Sequence, residues 1–528
     1  MPMDRRLFLQ SLAATGAALA GQSLLSATPA ASKRPPNIVV ILSDDVGYGD
    51  LSCYGATHVH TPRIDSLAAA GLRFTDAHCD AATCTPSRYA MLTGSYAWRH
   101  DGVAVLPGDA KSLIRDDQAT IASVLKSAGY TTGLVGKWHI GLGNGTIDWN
   151  GEIKPGPIEL GFDDAFFFAA TADRVPTVYI HNHNVVNLDP NDPIHVSYAG
   201  KIGDEPTGKE DPQLLKMHLS EGHDGTIVDG VSRIGYMTGG KSARWVDEKM
   251  AATFTGKAVE FIEKNRHHPF LLYFTPSDIH VPRMPAAQFA GKSECGVRCD
   301  VLGQLDWSVG RVLDTLKRLG LDENTLVLFT SDNGPVVNDG YDDGSDRALD
   351  GHKPAGPFRG GKYTIFEGGT RIPFIVRWTG HVKPGGVSPA LVSQLDLLAS
   401  FAALVHQPIP AGSAEDSVNV LPALLGQSQT GLKFLVEESQ ELAIREGDWK
   451  LIDRSQRPGE HPRPARKARP GGAMETINQQ SSGYPRAPLE LYDVAKDPYE
   501  TKNLAAKNPD VVERLRNKLA DIRKQGHS

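Results

Sequence analysis

The feature that most constrains this chain is a set of short β-branched runs that stop abruptly at charged or polar residues. "PPNIVVILSDD" ends on Asp44 and Asp45, and comparable runs recur in "TTGLVGKWHIG", "PFLLYFTPSDIHVP", "NTLVLFTSDNG" and "RIPFIVRWTG". Continuous apolar runs of this length predict strands buried on both faces, as in a parallel sheet. Segments of helical periodicity lie between them. Within 119–129, Thr120 can cap, Ile121, Val124, Leu125 and Ala128 share a face, and Gly129 ends the helix. Within 301–320, Leu302, Leu305, Val309, Val312, Leu316 and Leu319 form a second stripe. Strands alternating with helices predict an α/β fold, a large mostly parallel or mixed sheet sandwiched by helices.

In an open α/β sheet, ligands bind beyond the carboxyl ends of the strands. Asp44 and Asp45, Lys137 and His139, His280, and Asp332 and Asn333 each follow one of these runs. Four strand ends are therefore expected to converge on one site. Scattered surface charges would not choose that position repeatedly.

At 528 residues, 40% apolar and 22% charged, the chain can bury a large core, and one big domain plus a smaller one is expected. The boundaries expected are 1–32 for an export signal, 33–421 for the main domain and 422–528 for a small antiparallel sheet with a C-terminal helix. That helix starts at Asn508 and Pro509, with Val512, Leu515, Leu519 and Ile522 on one face. A net charge of -7 argues against a nucleic-acid binder held by a general basic surface. The Arg/Pro-rich stretch "RSQRPGEHPRPARKARPGG" is read as a solvated loop. From about 145 to 244 the chain is rich in Gly, Asn, Asp, Pro and His with few periodic segments, an excursion of the kind that builds pocket walls.

The N-terminus carries Arg5-Arg6, then Leu-Phe-Leu and an Ala/Gly/Leu-rich stretch ending near Ala30, the pattern of a Tat-type export signal. Export to the periplasm or beyond is expected, with no stable membrane insertion once the signal is removed. The cysteines are five, Cys53, Cys79, Cys84, Cys295 and Cys299, so at least one stays outside any intramolecular disulfide. Cys84 is the candidate; the other four are left open between disulfides and buried thiols.

Pro86 suits the first turn of a helix, which places Cys84 at its amino end, where the dipole favours anions and lowers a thiol pKa. A thiol-phosphatase loop needs five residues between Cys and Arg, and only Thr85, Pro86 and Ser87 separate Cys84 from Arg88. That reading fails on spacing.

The stretch "CTPSRYAMLTG" resembles the signature of the Cys-type, formylglycine-dependent sulfatases of the alkaline phosphatase-like superfamily. "GYTTGLVGKWHIG" is similar to the second family signature, and "SDNG" and "RGGKYTIFEGGTRIP" match further, in the expected order. The resemblance implies that a separate formylglycine-generating enzyme oxidises Cys84 to 3-oxoalanine, an aldehyde. Its hydrate has two hydroxyls on one carbon: one attacks sulfur, and the other loses a proton to expel sulfate by C–O cleavage. A plain serine ester lacks that exit.

The same resemblance implies the remaining roles. Asp44, Asp45, Asp332 and Asn333, with the modified Cys84, hold the metal; a set of oxygen ligands favours Ca²⁺ or Mg²⁺ over zinc, and the family favours Ca²⁺. Successive strand residues face opposite ways, so Asp44 and Asp45 can address one ion only where the chain is leaving its strand. Arg88, Lys137 and Lys362 hold the formylglycine and the substrate sulfate. His139 takes a proton from the intermediate, and His280 protonates the leaving alcohol with help from Lys362.

"RHHPFLLYF" and "GPFRGGKYTIFEGGTRIPFIVRW" look closest to N-acetylgalactosamine-6-sulfatase-type members and bacterial arylsulfatases. "FAATADRVPTVYI" resembles galactose or N-acetylgalactosamine 6-O-sulfatases, which implies that Asp173 and Arg174 contact the sugar; a purely structural ion pair is the alternative. The expected function is hydrolysis of sulfate monoesters, by exo-acting 6-O-desulfation of a sulfated glycan. Rivals are a general arylsulfatase, a phosphonate or phosphodiester hydrolase of the same superfamily, and a non-catalytic glycan-binding relative.

Overall fold

A computed structural model describes residues 34–455 and 487–525. The expected signal over 1–32 and most of the Arg/Pro-rich loop lie outside the described residues. Ten strands form one mixed sheet, and its centre is five parallel strands in the order Thr325–Ser331, Asn37–Ser43, Phe270–Thr275, Thr131–Lys137 and Asp164–Phe168. Phe374–Arg377 runs antiparallel beside the first of these and pairs in turn with Leu72–Phe74. The expected α/β architecture is the observed one.

Double burial of the strands follows from their alternation. Ile38, Val40 and Leu42 enter one core, while Val39 and Ile41 enter the other. Leu326 and Leu328 divide from Val327 and Phe329 in the same way. On the first face lie the helices Cys84–Thr93, Ile121–Ser127 and Leu397–Leu404; on the second lie Pro62–Ala69, Met250–Asn265 and Gly296–Arg318. The predicted capping at Thr120 is present, its hydroxyl accepting from Ser123 N at 3.0 Å.

Within 145–244 the chain supplies an element the sequence pattern hid. Asp164–Phe168 is the fifth parallel strand, buried along "AFFF". Its aromatic run is too short to separate from loop by periodicity. The rest of the excursion holds short hairpins, such as Ile227–Val228 with Val231–Ser232.

The C-terminal strands pair antiparallel in the order Phe434–Glu438, Leu442–Glu446, Trp449–Asp453 and Leu489–Asp493. Phe434–Glu438 was not foreseen. Val512, Leu515, Leu519 and Ile522 of the helix Pro509–Gln525 pack on one face of this sheet, together with Ala90 from the Cys84–Thr93 helix. Cys295 and Cys299 form a disulfide, leaving Cys53, Cys79 and Cys84 free. No helix among the described residues is long and apolar enough to cross a membrane.

Candidate active site

The site sits where four neighbouring parallel strands end. Asn37–Ser43 stops one residue before Asp44, and Asp45 has φ of 60°, so the chain has left the strand where the two carboxylates are needed. Ligand oxygens of Asp44, Asp45 and Asp332 lie within 4.8 Å of one another, and all three residues are buried. Asn333 donates through Nδ2 to Asp45 Oδ1 at 2.7 Å, while its buried Oδ1 has no hydrogen-bond partner. Gly334 follows because its chain lies against the Glu367–Thr370 turn: its N–H donates to Gly369 O at 2.9 Å, and a Cβ would sit 1.9 Å from Gly368 O.

Three crowded carboxylates cannot all ionise without cations nearby. Burial and the Asp44 charge push Asp332 up to about 7. Burial opposes the Asp44 charge too, but Lys137, His280 and Arg88 outweigh it and hold that carboxyl well below its usual range. Lys137 Nζ donates to both Asp44 oxygens at 2.7 and 2.9 Å, and Ser277 Oγ donates to one of them at 2.7 Å. Lys362 Nζ donates to Asp45 at 2.8 Å, and Arg88 Nε to Asp332 at 2.9 Å. The crowding and the bare Asn333 oxygen fit a hard divalent cation held by oxygen.

Cys84 is the first residue of the helix Cys84–Thr93, and Arg88 lies one turn on, so both face the same way. The thiol falls within 4.8 Å of ligand atoms of Asp44 and His280. Its titration departs from the sequence expectation: burial pushes the thiol up to about 12, against the pull of Lys137 and Lys362. Desolvation of the thiolate outweighs the helix terminus here. A group held as a neutral thiol is poorly suited to act as a nucleophile in that form.

Each of the two histidines has one ring nitrogen fixed by a hydrogen bond to backbone. His139, at φ of 60°, has Nε2 at 3.0 Å from Leu106 O, so Nε2 carries the hydrogen and the buried Nδ1 is a bare lone pair. Burial, then Lys137 and Arg174, hold its pKa well below the ordinary value. His280 donates from Nδ1 to Val281 O at 2.8 Å, leaving Nε2 to titrate 3.9 Å from Asp45. Burial, then Lys362, lower its pKa.

Asp173 and Arg174 flank this cluster. They pair with each other at 2.9 Å, and His223 Nε2 meets the other Asp173 oxygen at 2.9 Å. The Arg174 charge reaches His139, and that of Asp173 is felt with His280. All the singled-out residues thus gather in one region. Ser277, His223, Asp339 and Arg298 were not foreseen. Arg298 reaches from the helix Gly296–Arg318 to donate to Asp45 O at 3.2 Å, and no local motif marks any of the four.

The family model for Sulfatase matches residues 36–407. The chain is 48% identical over 495 residues to an N-acetylgalactosamine-6-O-sulfatase of Bacteroides thetaiotaomicron, covering 93% of this chain and 94% of that one. It is 32% identical over 523 residues to human arylsulfatase A, covering 94% and 90%. A solved structure from work on the metabolism of multiple glycosaminoglycans by Bacteroides thetaiotaomicron matches with a TM-score of 0.87 and 48% identity, over 93% of this chain and all of that one. With this coverage, and with the paired acids and cations at the strand ends, the chain belongs to the sulfatase family and is a sulfuric ester hydrolase.

Proposed function

We propose that this protein removes 6-O-sulfate from galactose or N-acetylgalactosamine in sulfated glycans, acting from the chain end. The observation that carries the reading is the Asp173–Arg174–His223 cluster beside the acid and cation cluster, in a chain 48% identical to a relative named for that activity. A buried carboxylate fixed by a histidine and an arginine suits recognition of a sugar hydroxyl through charge-assisted hydrogen bonds.

Asp44, Asp45, Asp332 and Asn333 would hold the divalent cation, Ca²⁺ ahead of Mg²⁺, which supplies Lewis-acid stabilisation of charge on the sulfate oxygens. Cys84 would be matured to formylglycine by a separate enzyme, supplying a hydrated aldehyde as nucleophile; the neutral buried thiol is consistent with that need. Arg88, Lys137 and Lys362 bind the sulfate and neutralise it as it transfers. His139 accepts a proton at its bare Nδ1. His280, with its Nδ1 hydrogen held by Val281 O, acts in its imidazolium form and passes the Nε2 proton to the departing sugar oxygen, with the Lys362 ammonium alongside. Asp173 and Arg174 orient the hexose so that its sulfate meets the cations. The twin-arginine segment supports export as the setting.

The test joins two measurements on active enzyme: mass analysis of the peptide containing Cys84, and rates on defined sulfated monosaccharides. Conversion of the thiol to the aldehyde and a preference for 6-O-sulfated galactose or N-acetylgalactosamine are expected. Full activity with an unmodified thiol in every molecule refutes the nucleophile; preference for a phosphodiester of the same alcohol refutes the reaction.

A further inference from the structure

Next to Lys362 the backbone takes a course that side-chain-bearing residues avoid. Tyr363 has φ of 72°, the left-handed region in which glycine is the default. Its backbone is clamped on both sides. The N–H donates to Ala82 O at 2.7 Å, on the segment leading into Cys84. The carbonyl accepts from Ser439 Oγ at 2.6 Å, in the turn between Phe434–Glu438 and Leu442–Glu446. That turn also holds the approach to Cys84: Glu438 N donates to Asp80 O and Ala82 N to Glu438 O, at 2.8 and 2.9 Å. One turn of the C-terminal sheet thus fastens the chain before Cys84 and the chain after Lys362.

The Tyr363 side chain is placed with equal care. Its hydroxyl lies 3.1 Å from each oxygen of Asp339, which also accepts from Lys362 Nζ at 3.1 Å. The Lys362 ammonium stands 5.3 Å from the centre of the ring. Gly361, Lys362 and Thr364 are buried, whereas Tyr363 keeps part of its surface open. The hydroxyl is within electrostatic reach of Cys84, Asp45 and Arg174. It therefore neighbours both the sulfate-binding cluster, through Asp339 and Lys362, and the Asp173–Arg174 pair. Strain of this kind survives where the surrounding structure over-determines it, and such positions gather at ligand clamps. A tyrosine held by its hydroxyl offers a rigid apolar face at low entropic cost.

We infer that Tyr363 is a substrate-contacting residue whose ring packs on the C–H face of the sulfated hexose, its angle fixed by Asp339 and by Ser439. The inference rests on the reading of the substrate as a pyranose sulfate, and not on the position of the sulfate. The test measures kcat and KM on whichever sulfated hexose the unaltered enzyme turns over fastest, so an error in the assigned sugar leaves it intact. Tyr363→Asn and Tyr363→Gly, both at ease at positive φ, are expected to raise KM about tenfold or more while changing kcat less. Tyr363→Phe keeps the ring and is expected to stay within about threefold of the unaltered KM. Ser439→Ala, which frees the angle without removing the ring, should raise KM by about threefold. An unchanged KM in the Asn and Gly variants overturns the proposal. So does a collapse of kcat at constant KM, which would assign Tyr363 to holding Lys362, or a Phe variant as impaired as the Asn variant. An unchanged KM in Ser439→Ala removes the clamp from it.

Discussion

Two buried charge clusters in this molecule use the same residue types to opposite ends. At the strand ends, Asp44, Asp45 and Asp332 crowd together, and Asn333 Oδ1 and His139 Nδ1 are left without hydrogen-bond partners. Beside the C-terminal sheet, Lys450 Nζ lies 3.0 Å from Glu367, 3.0 Å from Glu437 and 3.6 Å from Glu500. Arg445 grips Asp76 through two nitrogens at 2.6 and 2.7 Å, and His78 bridges Asp76 and Glu437. In this second cluster each carboxylate faces a cation, and the result joins the sheet to the segments flanking Cys84 and Lys362. Each strand-end carboxylate also faces a cation, but there three carboxylates stand together beside a bare amide oxygen and a bare imidazole nitrogen, an arrangement suited to a metal and a proton. The lesson is that neither burial nor ion pairing alone marks a charged residue as functional; like charges crowded together at the strand ends do.

The sharpest way to break this comparison is at Cys84. Cys84→Ala should lower kcat by about 10⁴-fold or more while the melting temperature stays near that of the unaltered protein. Normal turnover in that variant would remove the nucleophile.

The next test sets the two lysines against each other. Lys450→Met leaves three buried carboxylates facing no ammonium and should cost about 3–5 kcal/mol in urea unfolding. Lys137→Met should instead lower kcat/KM by about 10²–10³-fold, with a smaller loss of stability than Lys450→Met. Equal stability of the two variants would erase the distinction drawn between the clusters.

Metal removal probes the unsatisfied cluster directly. Prolonged chelation, with metal loss verified by elemental analysis, should abolish activity and lower the melting temperature. Ca²⁺ at about 100 times its Kd should restore about 2.7 kcal/mol of stability. Activity that survives verified metal loss would count against the ion.

The smallest effect concerns pH. Burial raises Glu500 to about 8, against the pull of Lys450 and with the added push of Glu367. Between the unfolded value of 4.5 and 8, the unfolded chain binds fewer protons at this position than the folded one, so the Glu500 contribution falls as pH rises. Glu500→Gln should flatten that decline by about 1 kcal/mol or more, read from urea midpoints across the window. An identical pH profile would remove Glu500 as its source.

Much of this was legible in the chain. The runs around Val39, Leu134, Leu272 and Val327 announce doubly buried strands because apolar residues fill both faces of the pleat. The polar pairs at their ends follow from where those strands must stop. "CTPSR" and "GKWHIG" disclose the chemistry because their local spacing carries it. The strand Asp164–Phe168 stayed hidden, since "DAFFF" is too short for its period to be read. The thiol of Cys84 was misjudged because the local helix effect is visible in sequence and the burial that overrides it is not.

By itself, then, the sequence determined the layered α/β architecture, the order of its strand-end residues and the family to which they belong, since these depend on local pattern and chemical type. Only the tertiary structure decided which charges are satisfied and which are not. His223 meets Asp173, and Ser439 meets Tyr363, across separations of 50 and 76 residues. No local preference specifies such contacts: they exist because the parallel sheet and the C-terminal turn bring remote backbone together, and desolvation there sets the charge each group can bear.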